Sequence, residues 1–361
     1  MKFIIDKDIP YIKGVLEPCA TVAYLPGAGI TRQDVRDADA LIIRTRTRCD
    51  ASLLEGSAVR FIATATIGYD HIDTAYCEKA NIGWTNAEGC NAGSVAQYVT
   101  SALFVLAQKQ KFNLSEKTIG IVGVGNVGKR VEEISNALGM NVLLNDPPRE
   151  RREGRGDFVS LEQICAEADI ITFHTPLIRS GRDCTRHIVN EHFLSDLIQK
   201  PILINTARGE IADTIMLKKA MKTDKLSALV LDCWENEPDI DIELLEKTDI
   251  ATPHIAGYSA DGKANATALS VQAVSRFFHL GLDDWTVKSL PSPSQPVISV
   301  EKGNMSKAIL HAYDIMQDDG RLRENPRAFE SLRNNYPLRR EYGAYSVEGY
   351  LPDLLMKIGF R

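Results

Sequence analysis

The sequence predicts an α/β protein built from parallel sheets, and three observations carry that expectation. Residues 118–129 run apolar from Ile119 to Val122 and pass directly into Gly123-x-Gly125-x-x-Gly128. Short apolar runs alternate with helical patterns on both sides of that stretch, the pattern expected of a parallel sheet with crossover helices. Polar residues follow four of the later runs in series, and ligands of open α/β sheets bind beyond the carboxyl ends of the strands.

The glycine stretch predicts a strand, a tight turn and a helix carrying Val127, Val131, Ile134 and Leu138 at helical spacing. Gly123 permits the turn, Gly125 lets the backbone approach a pyrophosphate, and Gly128 lets helix and strand pack closely. Gly123, Gly125, Asn126, Val127 and Gly128 therefore form the expected anion cradle, with the helix-start N–H groups facing the ligand. After the next apolar run, Val142 to Leu144, comes Asp146. An acid there binds a ribose 2′-hydroxyl and repels a 2′-phosphate, so the expected cofactor is NAD rather than NADP. A basic set nearby (Arg149, Arg151, Arg152, Arg155) could neutralise a 2′-phosphate, but reads better as a solvated charged loop.

A chain of 361 residues has length for two or three domains, and 44% hydrophobic with 25% charged residues is ordinary for a soluble protein. The net charge of −6 gives no electrostatic reason to expect nucleic acid or an anionic membrane. Asp6, Lys7 and Asp8 come too early for a signal-peptide apolar region, and no run is long enough to span a bilayer. Seven cysteines (19, 49, 77, 90, 165, 184, 233) are odd in number and lack a CxxC pair. Reduced thiols in the cytoplasm and no metal site are expected.

Taken in order, Lys2 to Asp6 reads as a strand and Pro10 to Leu16 as a helix start, with Ala40 to Ile43, Phe61 to Thr64 and Ile82 to Trp84 as further strands. Two loops in this first α/β unit are candidates for binding anions. Arg44-Thr45-Arg46-Thr47-Arg48 gathers three guanidiniums, which suit phosphate or carboxylate. In Thr66-Ile67-Gly68, the glycine allows successive N–H groups to converge. Gly93 to Gln108 reads as a long helix with Ser94 as its cap, leading into a nucleotide unit that continues through strand-like runs at 170–173, 202–204, 228–231 and 250–252. Residues 259–280 form a helical pattern that could return to the first unit, 290–296 a linker, and 305–318 a helix. The last 65 or so residues are too few for an independent core, so docking on the rest or on a second subunit is expected.

The polar groups after the strands are His174-Thr175-Pro176, residues 205–209 with Arg208, residues 232–238 with Glu237, and Pro253-His254. Oxidising a hydroxyl-bearing carbon requires a base for the hydroxyl proton, a hold on the substrate and stabilisation of a developing carbonyl. His254 is the natural base, Glu237 can fix its tautomer, and Arg208 can hold a carboxylate. The other histidines read as surface or packing residues.

Several ordered motifs resemble the D-isomer-specific 2-hydroxyacid dehydrogenases. They are Gly123-Val-Gly-Asn-Val-Gly128, Asn205-Thr-Ala-Arg208-Gly209, Asp232-x4-Glu237-Pro238, Thr252-Pro-His254-Ile-Ala-Gly257 and Asn91-Ala-Gly-Ser94-Val-Ala96. The resemblance covers about residues 1–285. It implies two Rossmann-like doubly wound domains with a cleft between them, divided as 1–95 with 255–285 for substrate and 96–254 for NAD. Arg208 is then substrate-binding, His254 the proton acceptor and Glu237 its partner. A narrower resemblance rests on Arg44-Thr45, residues 66–73, Asp146-Pro-Pro148, residues 254–263 and the tail Phe329-Glu-x-Leu-Arg333…Arg339-Arg340-Glu341-Tyr342. It points to members that oxidise a phosphorylated sugar acid in pyridoxal phosphate biosynthesis, and implies that residues 286–361 are an α+β dimerisation domain. It implies Thr45, Thr66 and Tyr258 as substrate contacts, and Asp146, Thr175, Thr206, Ala207, Arg208, Asp232 and Gly257 as NAD contacts. Gly68, Arg44 and Arg46 join the substrate group from the residue reading above. Two alternatives stand: a member acting on another 2-hydroxy acid such as 3-phosphoglycerate, or a non-catalytic NADH-sensing scaffold.

Overall fold

The computed structural model describes residues 1–154, 156, 158–301, 304–349 and 353–361. Arg155 lies outside them. Residues 1–91 and 259–291 form one compact unit, and residues 92–258 and 292–361 another.

The first unit holds β1 (Lys2–Asp6), β2 (Thr21–Leu25), β3 (Ala40–Ile43), β4 (Phe61–Thr64) and β5 (Gly83–Asn86). They pair in parallel in the order β2-β1-β3-β4-β5. Alternation along each strand divides its apolar residues between two cores. Ile4, Leu41, Ile43 and Ile62 face Val35 and Leu54 on one side. Phe3, Ile5, Ile42 and Ala63 meet Val271 and Val274 of the Ala260–Phe278 helix on the other. Burial on both faces is why these strands read as continuous apolar runs.

The second unit holds β6 (Thr118–Val122), β7 (Asn141–Asn145), β8 (Ile170–Phe173), β9 (Ile202–Asn205), β10 (Ala228–Leu231) and β11 (Ile250–Ala251). Their parallel order is β11-β10-β9-β8-β6-β7. The direction of winding reverses between β6 and β8, the switch point where a dinucleotide fits. The C-terminal segment adds helices and a two-stranded parallel sheet of β12 (Val297–Val300) and β13 (Ser346–Gly349). Its Ile298, Ile309, Leu355 and Phe360 share one core with Val99 and Leu103 of the Ala92–Gln110 helix. The segment is therefore packed into the nucleotide unit, in keeping with a length too short to bury a core of its own.

Local structure differs from expectation in several places. Residues 10–16 form turns, because Tyr11 (φ 64°) and Gly14 (φ 83°) adopt left-handed backbone that interrupts a helix. Strand β2, at the edge of the sheet and with no fully buried residue, was not among the expected strands. Ser94 is not a cap: it lies inside the Ala92–Gln110 helix, and its hydroxyl donates to Glu341 Oε1 at 2.7 Å. The helix expected over 305–318 is two, Met305–Ala312 and Ile315–Glu324. Tyr313 takes extended backbone between them, and the Asp314 carboxylate caps the second at Met316 N–H. No helix among the described residues is long and apolar enough to cross a membrane.

Candidate active site

The glycine turn is built as its sequence implies. Gly123 has φ 90°, and a Cβ there would lie 2.8 Å from the His174 carbonyl carbon and Thr175 nitrogen. A Cβ on Gly128 would lie 2.1 Å from the Gly123 carbonyl oxygen. Those two glycines are required by the protein's own packing. Gly125 is different, since a Cβ there would meet nothing within 4 Å. Its bareness fits close approach by a ligand at the start of the Asn126–Ala137 helix. Asp146 follows β7, and its carboxylate accepts from Val124 N–H at 2.9 Å and from Arg149 N–H at 3.0 Å. Thr175 Oγ1, beside the turn, is buried without a hydrogen-bond partner, as a side chain meant for a polar ligand would be. These residues fit a dinucleotide. The described arginines nearby are committed elsewhere: Arg149 to Glu153 at 2.9 Å, Arg152 to Glu153 at 3.1 Å and Arg151 to Asp183 at 2.5 Å. Arg149 and Arg152 share the one Glu153 carboxylate, so some positive charge remains, and it is Asp146, placed to repel a 2′-phosphate, that favours a plain 2′-hydroxyl.

His174 packs rather than reacts. Its Nε2 lies 3.0 Å from Thr172 Oγ1 and its Nδ1 3.2 Å from Thr206 Oγ1, and burial pushes the imidazole down to about 3. It stays neutral and holds Thr206 in place. Ala207 and Arg208 follow on the same loop, where the Asn205 carboxamide accepts from Ala207 N–H at 3.1 Å and donates to the Arg208 carbonyl at 2.9 Å. The Arg208 guanidinium donates to the Ala207 carbonyl at 2.8 Å. Gly209 closes this loop against the next one, for a Cβ there would sit 1.9 Å from the Trp234 carbonyl oxygen.

That next loop carries the acid. Glu237 Oε1 accepts from Trp234 N–H at 2.8 Å, and Glu237 Oε2 lies 2.8 Å from His254 Nδ1. Burial raises the Glu237 carboxyl. The bond to His254, its charge, the Trp234 amide and the charge of Arg333 outweigh that effect and hold it below its ordinary value. An ionised carboxylate on Nδ1 leaves Nε2 as the imidazole atom that can take a proton. Asn236 (φ 61°) and His254 (φ 55°) both adopt left-handed backbone, a strain of about 1 kcal/mol each that surrounding contacts must hold.

Asp232 supplies much of that restraint. Its buried carboxylate accepts from Thr252 Oγ1 at 2.6 Å, Ile255 N–H at 2.7 Å and Ala256 N–H at 2.9 Å, and its carbonyl accepts from His254 N–H at 2.8 Å. Asp232, expected at NAD, also pins the histidine loop. Gly257 sits in the turn that follows, and Tyr258 N–H donates back to the Ile255 carbonyl at 2.8 Å. Cys233, Glu237 and His254 also bring potential metal-ligand atoms within 4.8 Å of one another. The Cys233 thiol donates to the Ala207 carbonyl at 3.4 Å and Glu237 is engaged by His254 and Trp234 N–H, so these atoms are already partnered within the protein.

The sequence reading missed the grip of the tail on this site. The buried Arg339 guanidinium donates to the carbonyls of Ala256 at 2.5 Å, Ser94 at 2.8 Å and Ile255 at 3.4 Å, and stacks 4.2 Å over Tyr313. It buttresses the histidine loop from behind. Only the tail's clustered arginines in the sequence could have signalled this.

On the first unit, the chain turns after β3, so the arginines surround a loop. Arg44 pairs with Asp6 at 3.1 Å and Asp8 at 3.2 Å, and Arg48 with Asp50 at 2.8 Å. Thr45 and Arg46 are exposed. Thr66 Oγ1 donates to the Gly68 carbonyl at 2.9 Å, closing the turn after β4.

The D-isomer specific 2-hydroxyacid dehydrogenase NAD-binding domain profile matches residues 93–256, and a domain of unknown function matches residues 294–359. An erythronate-4-phosphate dehydrogenase of Bacteroides fragilis is 53% identical over 348 residues, covering 96% of this chain and 99% of its own. An Escherichia coli protein of the same name is 40% identical over 375 residues, covering 100% and 98%. The chain belongs to the erythronate-4-phosphate dehydrogenase family. It is an NAD-dependent dehydrogenase of the D-2-hydroxyacid type. Among solved structures, D-lactate dehydrogenase of Aquifex aeolicus with NAD and lactic acid matches at TM-score 0.62 and 25% identity, covering 81% of this chain and 100% of that one. The NAD+-bound 3-phosphoglycerate dehydrogenase of Entamoeba histolytica matches at 0.65 and 26%, covering 81% and 99%. The chain therefore shares its parallel-sheet architecture with these two dehydrogenases.

Proposed function

We propose that the protein oxidises 4-phospho-D-erythronate at C2 to (R)-3-hydroxy-2-oxo-4-phosphobutanoate, a step of pyridoxal 5′-phosphate biosynthesis. The observation that carries the chemistry is the 2.8 Å contact between His254 Nδ1 and Glu237 Oε2. Bound NAD would supply the hydride acceptor for C2. Gly123, Gly125, Asn126, Val127, Gly128, Asp146 and Thr175 would hold it, with Thr206, Ala207, Arg208, Asp232 and Gly257 the further contacts expected there. His254 Nε2 takes the C2 hydroxyl proton, while Glu237, ionised on Nδ1, stabilises the resulting imidazolium. Arg208 binds the substrate carboxylate and favours charge building on the neighbouring oxygen. Arg44, Thr45, Arg46, Thr66, Gly68 and Tyr258 complete the proposed substrate contacts.

The test is a single-turnover assay with 4-phosphoerythronate, 3-phosphoglycerate and D-lactate, with and without a 2-oxo acid, following NADH absorbance. NADH from 4-phosphoerythronate alone is the expected result. Turnover confined to 3-phosphoglycerate would replace the substrate, and NADH binding without turnover of any would leave a sensing scaffold.

A homodimer through the C-terminal segment is the proposed assembly. Val297, Leu338 and Met356 on that segment are 48%, 52% and 55% exposed and are the side chains on which the idea can be tested. Light scattering should give twice the chain mass of 39.9 kDa, and a Leu338→Asp, Met356→Asp double variant should lower it. A monomeric parent protein would dismiss the idea.

A further inference from the structure

The substrate reading leaves a phosphate dianion to be held, and the arginine loop is a poor place for all of that charge because Arg44 is already paired with two carboxylates. The second unit offers another cation. Arg333 lies on the Phe329–Asn334 helix of the C-terminal segment, anchored by the fully buried Phe329. Its guanidinium carbon stands 5.8 Å from the Tyr258 ring centroid and 5.9 Å from that of Phe329. The side chain is 23% exposed, and its contact with Glu330 Oε1 is long, at 3.4 Å. Its Nε is buried with no hydrogen-bond partner. A guanidinium has five donors in a rigid fork. Leaving one buried and unpaired costs free energy that an arriving anion would recover. The charge is also felt at the site, where Arg333 helps hold Glu237 ionised and itself senses Tyr258 and Glu237.

We propose that Arg333, with Tyr258 beside it, binds the 4-phosphate of the substrate. The inference rests on the reading of 4-phosphoerythronate as substrate and adds a contact from the C-terminal segment. It also gives that segment a role in specificity. The carboxylate borne by the carbon next to the reacting hydroxyl belongs at Arg208. The phosphate, at the other end of the four-carbon chain, needs a second bidentate donor, and arginine presents one to phosphate oxygens.

The experiment compares the full-length protein with Arg333→Gln and Arg333→Lys. Arg333→Gln should raise KM for 4-phosphoerythronate by about 100-fold while kcat changes by less than about 3-fold. Arg333→Lys, which keeps charge without the fork, should fall between. Inorganic phosphate should compete with substrate in the parent protein and about tenfold less well in Arg333→Gln. A KM that stays put, or a fall in kcat with KM unchanged, would overturn the proposal, the latter by showing that Arg333 acts on the Glu237–His254 pair. If Arg333→Gln does not fold, the Lys variant and phosphate competition against the parent decide, and an unshifted KM or no competition counts against it. Absence of turnover by the parent protein would instead strike the substrate reading itself.

Discussion

Replacing His254 with alanine is expected to lower kcat by about 10²- to 10⁴-fold, the usual worth of a positioned general base. NADH affinity, read by fluorescence quenching, should change by less than about 3-fold, because the glycine turn and Asp146 lie on other loops. The expectation follows from the geometry of the pair. Glu237 Oε2 occupies Nδ1 at 2.8 Å, so only Nε2 remains to exchange a proton with substrate. Glu237 is held below its ordinary carboxyl value, so it stays anionic throughout the neutral range and the tautomer of the imidazole is set there. A variant with near-parental kcat would remove His254 from the mechanism. The same loss in NADH affinity as in kcat would mean the loop had collapsed.

Gly209→Ala should have the largest structural effect of a single methyl group in this protein. The added carbon would lie 1.9 Å from the Trp234 carbonyl oxygen, 2.0 Å from its carbon and 2.4 Å from Glu235 nitrogen. All three are backbone atoms, so no side chain can rotate away. The loop bearing Arg208 and the loop bearing Glu237 must separate. We expect a loss of about 3 kcal/mol or more in urea melts and a fall in kcat of at least about 100-fold, since misplacement of about 1 Å can cost that much. Gly320→Ala is the matched control. It has nothing within 4 Å and lies in the Ile315–Glu324 helix, where alanine is favoured over glycine by about 1 kcal/mol. Equal melting of the two variants would show that the loop contact is not needed.

The glycine turn, the parallel strands and the order of the polar loops were legible in the sequence because each is a local signal. Gly123 and Gly128 answer backbone contacts made within a few residues or across one sheet position, and an apolar run marks a strand buried on both faces. His254, Glu237 and Arg208 could be picked out because each lies in a loop that follows a strand. Strand β2 was not picked out: it is a short edge strand, and its run Val22 to Leu25 is only half-buried in the fold. Neither were the turns at 10–16, which depend on left-handed backbone at Tyr11 and Gly14. The sequence by itself determined which residues have the chemistry for hydride and proton transfer. Only the tertiary structure decided how they are held. Ser94 meets Glu341 across 247 positions, and Arg339 reaches the Ala256 carbonyl across 83. Contacts that far apart leave no periodicity to read. They form because a C-terminal segment too short to bury its own apolar residues packs them into the nucleotide unit's core, and that docking brings Arg333 and Arg339 against the histidine loop.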